Sequence, residues 1–135
     1  MKKKKRLTTI LLIVVFLAGL SLLLYPSVAN YVNDRNSTRL IGNYSTAVSG
    51  LSEAEYDRLY QQAVDYNASL LERRNSFTLT DQQKVNYDEL LNVSDDGIMG
   101  YVSIPSIDVT LPIYHGTDDV SLQVAVGHID WSSLP

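Results

Sequence analysis

The chain has 135 residues, including eleven basic and fifteen acidic residues, two histidines and no cysteine. This length allows one ordinary domain besides any N-terminal targeting segment. The lack of cysteine excludes a disulfide, a thiolate metal ligand and a cysteine nucleophile among these residues, and two histidines exclude a three-histidine metal site. We therefore predict no metal and no cofactor.

The charge of the chain is divided between two regions. Five of the eleven basic residues form a cluster at Lys2 to Arg6, and the remainder has six basic against fifteen acidic residues, a formal charge of −9. An acidic domain repels phosphate, so nucleic acid is excluded as the expected partner. The basic cluster is typical of a membrane-topology signal.

An uncharged segment, residues 7–25, follows the basic cluster and consists mostly of Leu, Ile, Val, Phe and Ala. As a helix it would be about 28 Å long, close to the ~30 Å hydrocarbon core of a bilayer. We predict a cytoplasmic segment at 1–6, a transmembrane anchor at 7–25 in contact with lipid, a break at Pro26, and an extracellular remainder.

The alternative is a cleaved signal peptide with Ser27-Val28-Ala29 as the cleavage site. The apolar run exceeds the usual signal core of about 7–15 residues, which favours an uncleaved anchor. Both interpretations export the rest of the chain.

Residues 26–97 are predicted to form a helical preface. Apolar spacing indicates a first helix at 27–50, weakened near Asn33 to Ser37 and ended by Gly50. A capping box at Ser52 to Glu55 begins a second helix. Its apolar face includes Tyr56 and Tyr60, which we interpret as packing residues, and also Asn67, which begins an Asn-x-Ser triplet that we interpret as a chance match.

A polar, lid-like loop is predicted at 75–83, with Phe77 as its one aromatic residue. A short helical stretch at 85–93 should follow it. Turn-forming residues at 92–97 then close the helical part.

The periodicity changes to that of strands at Ile98. Residues 98–104 and 109–113 predict two strands that pair as a hairpin through a turn at Pro105-Ser106. Pro112 has no N–H group, so we expect it at a sheet edge or a break. A helix-start signal follows at Thr117-Asp118-Asp119.

Three segments in this order resemble the sortase family of cysteine transpeptidases. Residues 97–107 resemble the first strands of the sortase catalytic domain, and residues 111–116 are similar to its Leu-Pro-Ile-Tyr-His-Gly segment. Residues 126–135 are similar to the Val-Gly-His…Ser-Leu-Pro stretch of class C, the pilus-assembling sortases of Gram-positive cell surfaces. The stronger part of the match covers residues 86–135.

The resemblance implies an α+β fold: an anchor helix and helical preface that lead into the start of a mainly-β sortase barrel, whose first strands are residues 98–135. It also implies an enzyme of the cell membrane that cleaves Leu-Pro-x-Thr-Gly-type sorting signals of pilins or surface proteins. The product is passed to an amine, which for class C is a pilin lysine.

No catalytic residue is assigned within this chain, because the family's histidine, cysteine and arginine are expected beyond Pro135. His128 has the flanks of an earlier, non-catalytic family segment, so a structural role is predicted for it and for His115. Many class C sortases have a lid with Asp-Pro and an aromatic residue; loop 75–83 lacks Asp-Pro, which leaves Phe77 as a possible lid residue. We expect this chain alone, as a truncated barrel, to be inactive.

A rival interpretation belongs to a different functional class. In it, the chain is a membrane-tethered interaction module without enzymatic activity, whose helices bind a partner. The absence of a nucleophile from these residues favours this alternative.

Overall fold

The computed structural model describes residues 2–72 and 78–135, with side chains from Arg6 onward. The chain divides into two compact units, Met1–Asn36 and Ser37–Pro135. The helix α1 (Lys2–Ser49) begins in the first unit and ends in the second.

The first unit consists of the N-terminal part of α1. Its side chains from Arg6 to Val28 are exposed, among them a dense set of Leu, Ile, Val and Phe. Among the described residues, only α1 has the length and apolar composition needed to cross a membrane, a test that a signal sequence also passes. The exposed apolar surface requires a partner or a lipid environment to cover it.

The predicted interruptions of α1 are wrong, since Pro26 and the polar residues from Asn33 to Ser37 all lie inside the helix. Asn and Ser each cost less than about 0.7 kcal/mol relative to Ala, too little to end a helix with long flanks. The end at Gly50 is confirmed: its N–H donates to Thr46 O and Ala47 O, both at 3.1 Å.

The second helix, α2 (Glu53–Glu72), starts with the predicted capping box. The Ser52 N–H donates to Glu55 Oε2 at 2.9 Å, and the Glu55 N–H donates to Ser52 Oγ at 3.3 Å. The N–H groups of Ser52 and Glu55, which have no partner within the helix, are thus both hydrogen-bonded.

The helix α3 (Asp81–Asp88) differs from the sequence-based prediction at both ends. A capping box that we did not predict, between Thr80 and Gln83, starts the helix inside the predicted loop 75–83. It ends earlier than the predicted stretch 85–93, and Leu91 has a positive φ of 58°, which is incompatible with a continued helix. Phe77 lies outside the described residues.

The C-terminal part of the second unit is a small sheet. It contains β1 (Ile98–Ile104), a 3₁₀ turn (Pro105–Ile107), β2 (Val109–His115), the short helix α4 (Asp119–Leu122) and β3 (Val126–His128). The strand order is β1-β2-β3. The hairpin of β1 and β2 is antiparallel, as predicted, whereas β3 is parallel to β2.

Pro112 lies in β2, the central strand, but at a position where the predicted edge character holds. Pro112 is fully buried and pairs with Tyr101 of β1. Pairing of β2 with β3 starts only at Ile113, so at the proline the strand still has one side without a partner strand. A missing N–H group is tolerated at such a position.

The core lies where α2 and α3 meet the sheet. Its buried members are Ala63, Tyr87, Met99 and Leu134, and partly buried residues that pack against them are Tyr66, Leu79, Leu90, Leu91 and Ile113. The predicted packing of Tyr56 and Tyr60 is wrong, since they are 56% and 62% exposed. They line an open hollow of about 180 Å³ beside α1 and α2, which no side chain fills among the described residues.

Candidate functional site

A hydrogen-bond centre forms around the hydroxyl of Tyr87, the last core residue of α3. The side chain is 1% exposed. Its hydroxyl accepts a bond from the Gly116 N–H at 3.2 Å and lies 2.9 Å from His128 Nδ1 and 3.1 Å from His128 O. A single phenol therefore links α3 to the ends of both β2 and β3.

Aromatic contacts surround the same phenol. The His115 ring packs edge-on against the Tyr87 ring, with 5.2 Å between the ring centroids. The His128 ring stacks on the Tyr87 ring, with 5.8 Å between the centroids. Burial raises the pKa of Tyr87 to about 12, although donation from the Gly116 N–H opposes that rise. Tyr87 is therefore a neutral, structural phenol at physiological pH.

Both ring nitrogens of His128 have protein partners. Nε2 lies 3.0 Å from Ser133 O and 3.3 Å from Ser132 Oγ, and Nδ1 faces Tyr87. Because a carbonyl oxygen only accepts, Nε2 must carry the proton in the bond to Ser133 O. A general base needs a nitrogen lone pair directed at the substrate, so this geometry supports a structural role for His128.

His115 is held in a comparable way at the end of β2. Its Nε2–H donates to Leu90 O at 2.6 Å, which fastens the turn after α3 to the sheet. Beside it, a polar cleft of about 420 Å³ is lined by Lys84, Tyr87, Asp88, His115, Gly116, Thr117, Asp118 and Asp130.

The cleft has several carboxylates but no metal-binding arrangement. Asp118 caps α4: its Oδ1 accepts the N–H groups of Val120 and Ser121 at 3.0 Å, and bonds to Ser121 lower the pKa of its carboxyl. Within residues 6–72 and 78–135, no three His, Asp or Glu side chains come together as a metal site would require.

The segment 128–134 is held by α2 as well. Tyr66 donates from its hydroxyl to Asp130 O, and the Asn67 side-chain amide bonds to both main-chain groups of Leu134. The sequence reasoning missed these contacts. The available signal was Asn67 itself, a polar residue on the apolar face of α2.

Comparison with models of known families gives no match, and comparison with curated proteins gives none either. Solved structures do match. Sortase C1 from Streptococcus agalactiae is 35% identical with a TM-score of 0.64, over 72% of this chain and 50% of that chain. Sortase C from Clostridium perfringens SM101 is 31% identical with a TM-score of 0.53, over 72% of this chain and 50% of that chain.

A further match is the Clostridium perfringens sortase C in an intermolecular complex with the C-terminal cell wall sorting signal motif. It is 30% identical with a TM-score of 0.54, over 73% of this chain and 46% of that chain. This chain therefore spans about half the length of the sortases that it matches.

The helices and the three-stranded sheet thus form a partial sortase-like fold. The sortases that share it are of class C, and the resemblance found in the sequence is confirmed.

Proposed function

We propose that this chain is part of a class C sortase, a cysteine transpeptidase that cleaves Leu-Pro-x-Thr-Gly-type sorting signals and joins pilin subunits. The observation that carries the proposal is an identity of 30–35% over about 72% of the chain to class C sortases. The solved complex of the Clostridium perfringens enzyme with a cell wall sorting signal motif supports a peptide substrate of this kind.

The proposed reaction exchanges one acyl linkage for another. A thiolate attacks the carbonyl carbon of the Thr-Gly bond, the glycine amine leaves with a proton from a histidine, and a thioester remains. A lysine amine of the next subunit then attacks the thioester, forms a new amide and releases the thiol. An arginine stabilises the oxyanion or the substrate in these steps.

In this proposal the catalytic histidine, cysteine and arginine lie beyond Pro135, and the 135 residues alone are inactive. The absence of cysteine from these residues and a length of about half that of the matched sortases support this division. The residues present would then supply the scaffold: the anchor, the helices and the first strands.

The proposed location is the cell membrane, with residues 7–25 as a single anchor in the bilayer, residues 1–6 in the cytoplasm and the larger part outside. The exposed apolar side chains from Leu7 to Tyr25 support it, as does the basic cluster before them. N-terminal sequencing of the protein from the membrane fraction tests it: an intact N-terminus is expected, and a chain that begins after Ala29 would establish a signal peptide instead.

The enzymatic proposal is tested on the product of the reading frame extended past Pro135. We expect that frame to encode a histidine, a cysteine and an arginine, and its product to cleave a fluorogenic Leu-Pro-x-Thr-Gly peptide. The variant with that cysteine changed to alanine should be inactive, like the 135-residue chain. A stop codon directly after Pro135, or no cleavage by the extended protein, would refute the proposal and favour the non-enzymatic interaction module.

Phe77 remains a candidate lid residue. One matched structure is a lid mutant of Streptococcus agalactiae sortase C1, which supports a lid in that relative. In the extended protein, Phe77→Ala should raise the rate of peptide cleavage, whereas Thr78→Ala should not. An unchanged rate in Phe77→Ala would contradict a lid role.

A further inference from the structure

The main chain of Leu134 is paired with a side chain instead of a strand. Its N–H donates to Asn67 Oδ1 at 2.7 Å, and its carbonyl oxygen accepts from Asn67 Nδ2 at 3.2 Å. The amide therefore satisfies the donor and the acceptor of one residue together, as a neighbouring strand would. The Leu134 side chain is 4% exposed and belongs to the core.

A second contact from α2 holds the other end of the same segment. Tyr66, which precedes Asn67, donates to Asp130 O. Between these two points the Ser132 N–H donates to Ile129 O at 2.8 Å, which closes a turn. Residues 129–135 form no ladder with the sheet, so side chains of α2 fix the path of this segment.

Apolar packing alone does not account for an asparagine at position 67. Asn has a lower helix propensity than Leu or Ala, and Asn67 is half-buried, where an amide without hydrogen bonds is costly. Both of its polar atoms are used at Leu134. The residue is therefore suited to set the register of the segment, which a leucine at this position could not do.

We propose that Asn67 is a positioning residue: its amide fixes the main chain at Leu134 and thereby the course of the polypeptide as it leaves the core. Its consequence for catalysis rests on the proposed function, in which the reactive residues follow Pro135. On that basis α2 is a required part of the catalytic scaffold and not a spacer behind the anchor.

The first test is made on the full 135-residue chain in detergent micelles by NMR hydrogen exchange. In the wild-type chain, the Leu134 amide and the Asn67 side-chain amide protons should exchange slowly, while those of exposed Gln62 exchange freely. In Asn67→Ala the Leu134 amide should exchange about tenfold faster or more, the effect of losing a bond worth ~1.4 kcal/mol. Equal exchange at Leu134 in both proteins would overturn the proposal.

A second variant, Asn67→Asp, separates positioning from simple loss of packing. It is isosteric and keeps the acceptor for the Leu134 N–H, but an ionised carboxylate cannot donate to Leu134 O and repels it. Only the protonated acid restores the donor, so the stability lost at neutral pH should return below about pH 4, the ordinary carboxyl range. Gln62→Glu on the exposed face of the same helix is the matched control and should show no such recovery relative to wild type.

In the extended protein, Asn67→Asp should lower kcat for peptide cleavage with little change in KM, whereas Gln62→Glu should match wild type. A variant that loses protection at Leu134 yet retains wild-type kcat would overturn the catalytic consequence. Failure of the wild-type protein to cleave would refute the proposed function instead. Exchange of the Leu134 amide would still decide whether Asn67 fixes the main chain there.

Discussion

At the scale of single residues, Tyr87 joins α3 to the ends of β2 and β3 through one hydroxyl. Removing that hydroxyl in Tyr87→Phe should lower the free energy of unfolding by about 2–4 kcal/mol, because the Gly116 N–H and the His128 ring lose a buried partner while the ring packing remains. Chemical denaturation followed by circular dichroism measures the change. Tyr60→Phe, at a residue that is 62% exposed, is the control and should differ little from wild type.

The same phenol predicts a loss of stability at alkaline pH. Its pKa is about 12 in the folded protein, against an ordinary value of 10.0. The stabilisation is therefore complete below pH 10 and is lost as the pH rises toward 12, because the unfolded chain releases the proton more readily. Unfolding midpoints measured across this range should fall more steeply for wild type than for Tyr87→Phe; parallel curves would contradict the assignment.

A buried hydroxyl without a partner makes the opposite prediction. Within the described residues, Ser94 Oγ is buried and accepts or donates no hydrogen bond. Ser94→Ala should therefore leave the thermal midpoint unchanged or raise it, because it removes the cost of desolvating the hydroxyl. Thermal unfolding measures this, with Ser49→Ala as the comparison variant, because the exposed Ser49 hydroxyl does bond, to Ser45 O at 2.7 Å. A clearly lower thermal midpoint in Ser94→Ala would show that the Ser94 hydroxyl has a partner.

The residue scale is also where sequence reasoning succeeded least. Helical spacing placed Tyr56, Tyr60 and Asn67 on one face of α2 but could not show how far along the helix the core extends. The core begins at Ala63 on this helix, so Tyr66 packs against it and the two earlier tyrosines remain exposed. Such a difference depends on contacts between residues far apart in sequence, which a periodic pattern does not contain.

At the scale of elements, α3 is eight residues long and depends on its N-terminal cap. Thr80→Ala should lower the free energy of unfolding by about 1 kcal/mol, because the Gln83 N–H loses its acceptor. The helix should then fray from its N-terminus as far as Tyr87, about two turns away. Thr80→Ser keeps the hydroxyl and is the matched control. Hydrogen exchange across α3 measures the effect, and equal protection in the two variants would show that the cap is dispensable.

The elements were predicted best where a local signal sets them. The capping box of α2, the terminator at Gly50 and the β1–β2 hairpin each rest on neighbours in sequence, and the structure confirms them. The predicted break near Asn33 to Ser37 was wrong because propensity differences of a few tenths of a kcal/mol were given too much weight, and the larger cost of Pro26, about 3 kcal/mol, did not end the helix either. The parallel partner β3 was not predicted, since three residues of Val-Gly-His carry no strand period.

At the scale of the whole chain, the apolar part of α1 predicts association with a bilayer. Leu17→Arg places a charge near the middle of residues 7–25, where it should cost about 2.5–3.5 kcal/mol on insertion. Fractionation of cells should then find less protein in the membrane pellet after alkaline extraction. Leu17→Ile is the control; an unchanged pellet fraction for Leu17→Arg would contradict a spanning helix.

The fold at this scale was predictable from order of motifs and not from any one of them. Residues 97–107, 111–116 and 126–135 resemble successive sortase segments, and the solved class C sortases match about 72% of the chain. Physical patterns alone gave helices followed by strands. They did not indicate that α2 holds the segment at Leu134 through Asn67 or that α3 holds the ends of β2 and β3 through Tyr87, because those bonds depend on side-chain geometry.

The hydrogen bond between Asn67 and Leu134 is one of several long-range contacts that affect when the chain can fold. Asn67 bonds to a residue 67 positions later, Tyr44 bonds to Met99 55 positions later, and Tyr87 bonds to His128 41 positions later. Contacts of such long range form late, after the intervening polypeptide is present. The second unit therefore cannot complete its packing until Leu134 has been synthesised, and under the proposed membrane location this delay would keep the chain open for translocation.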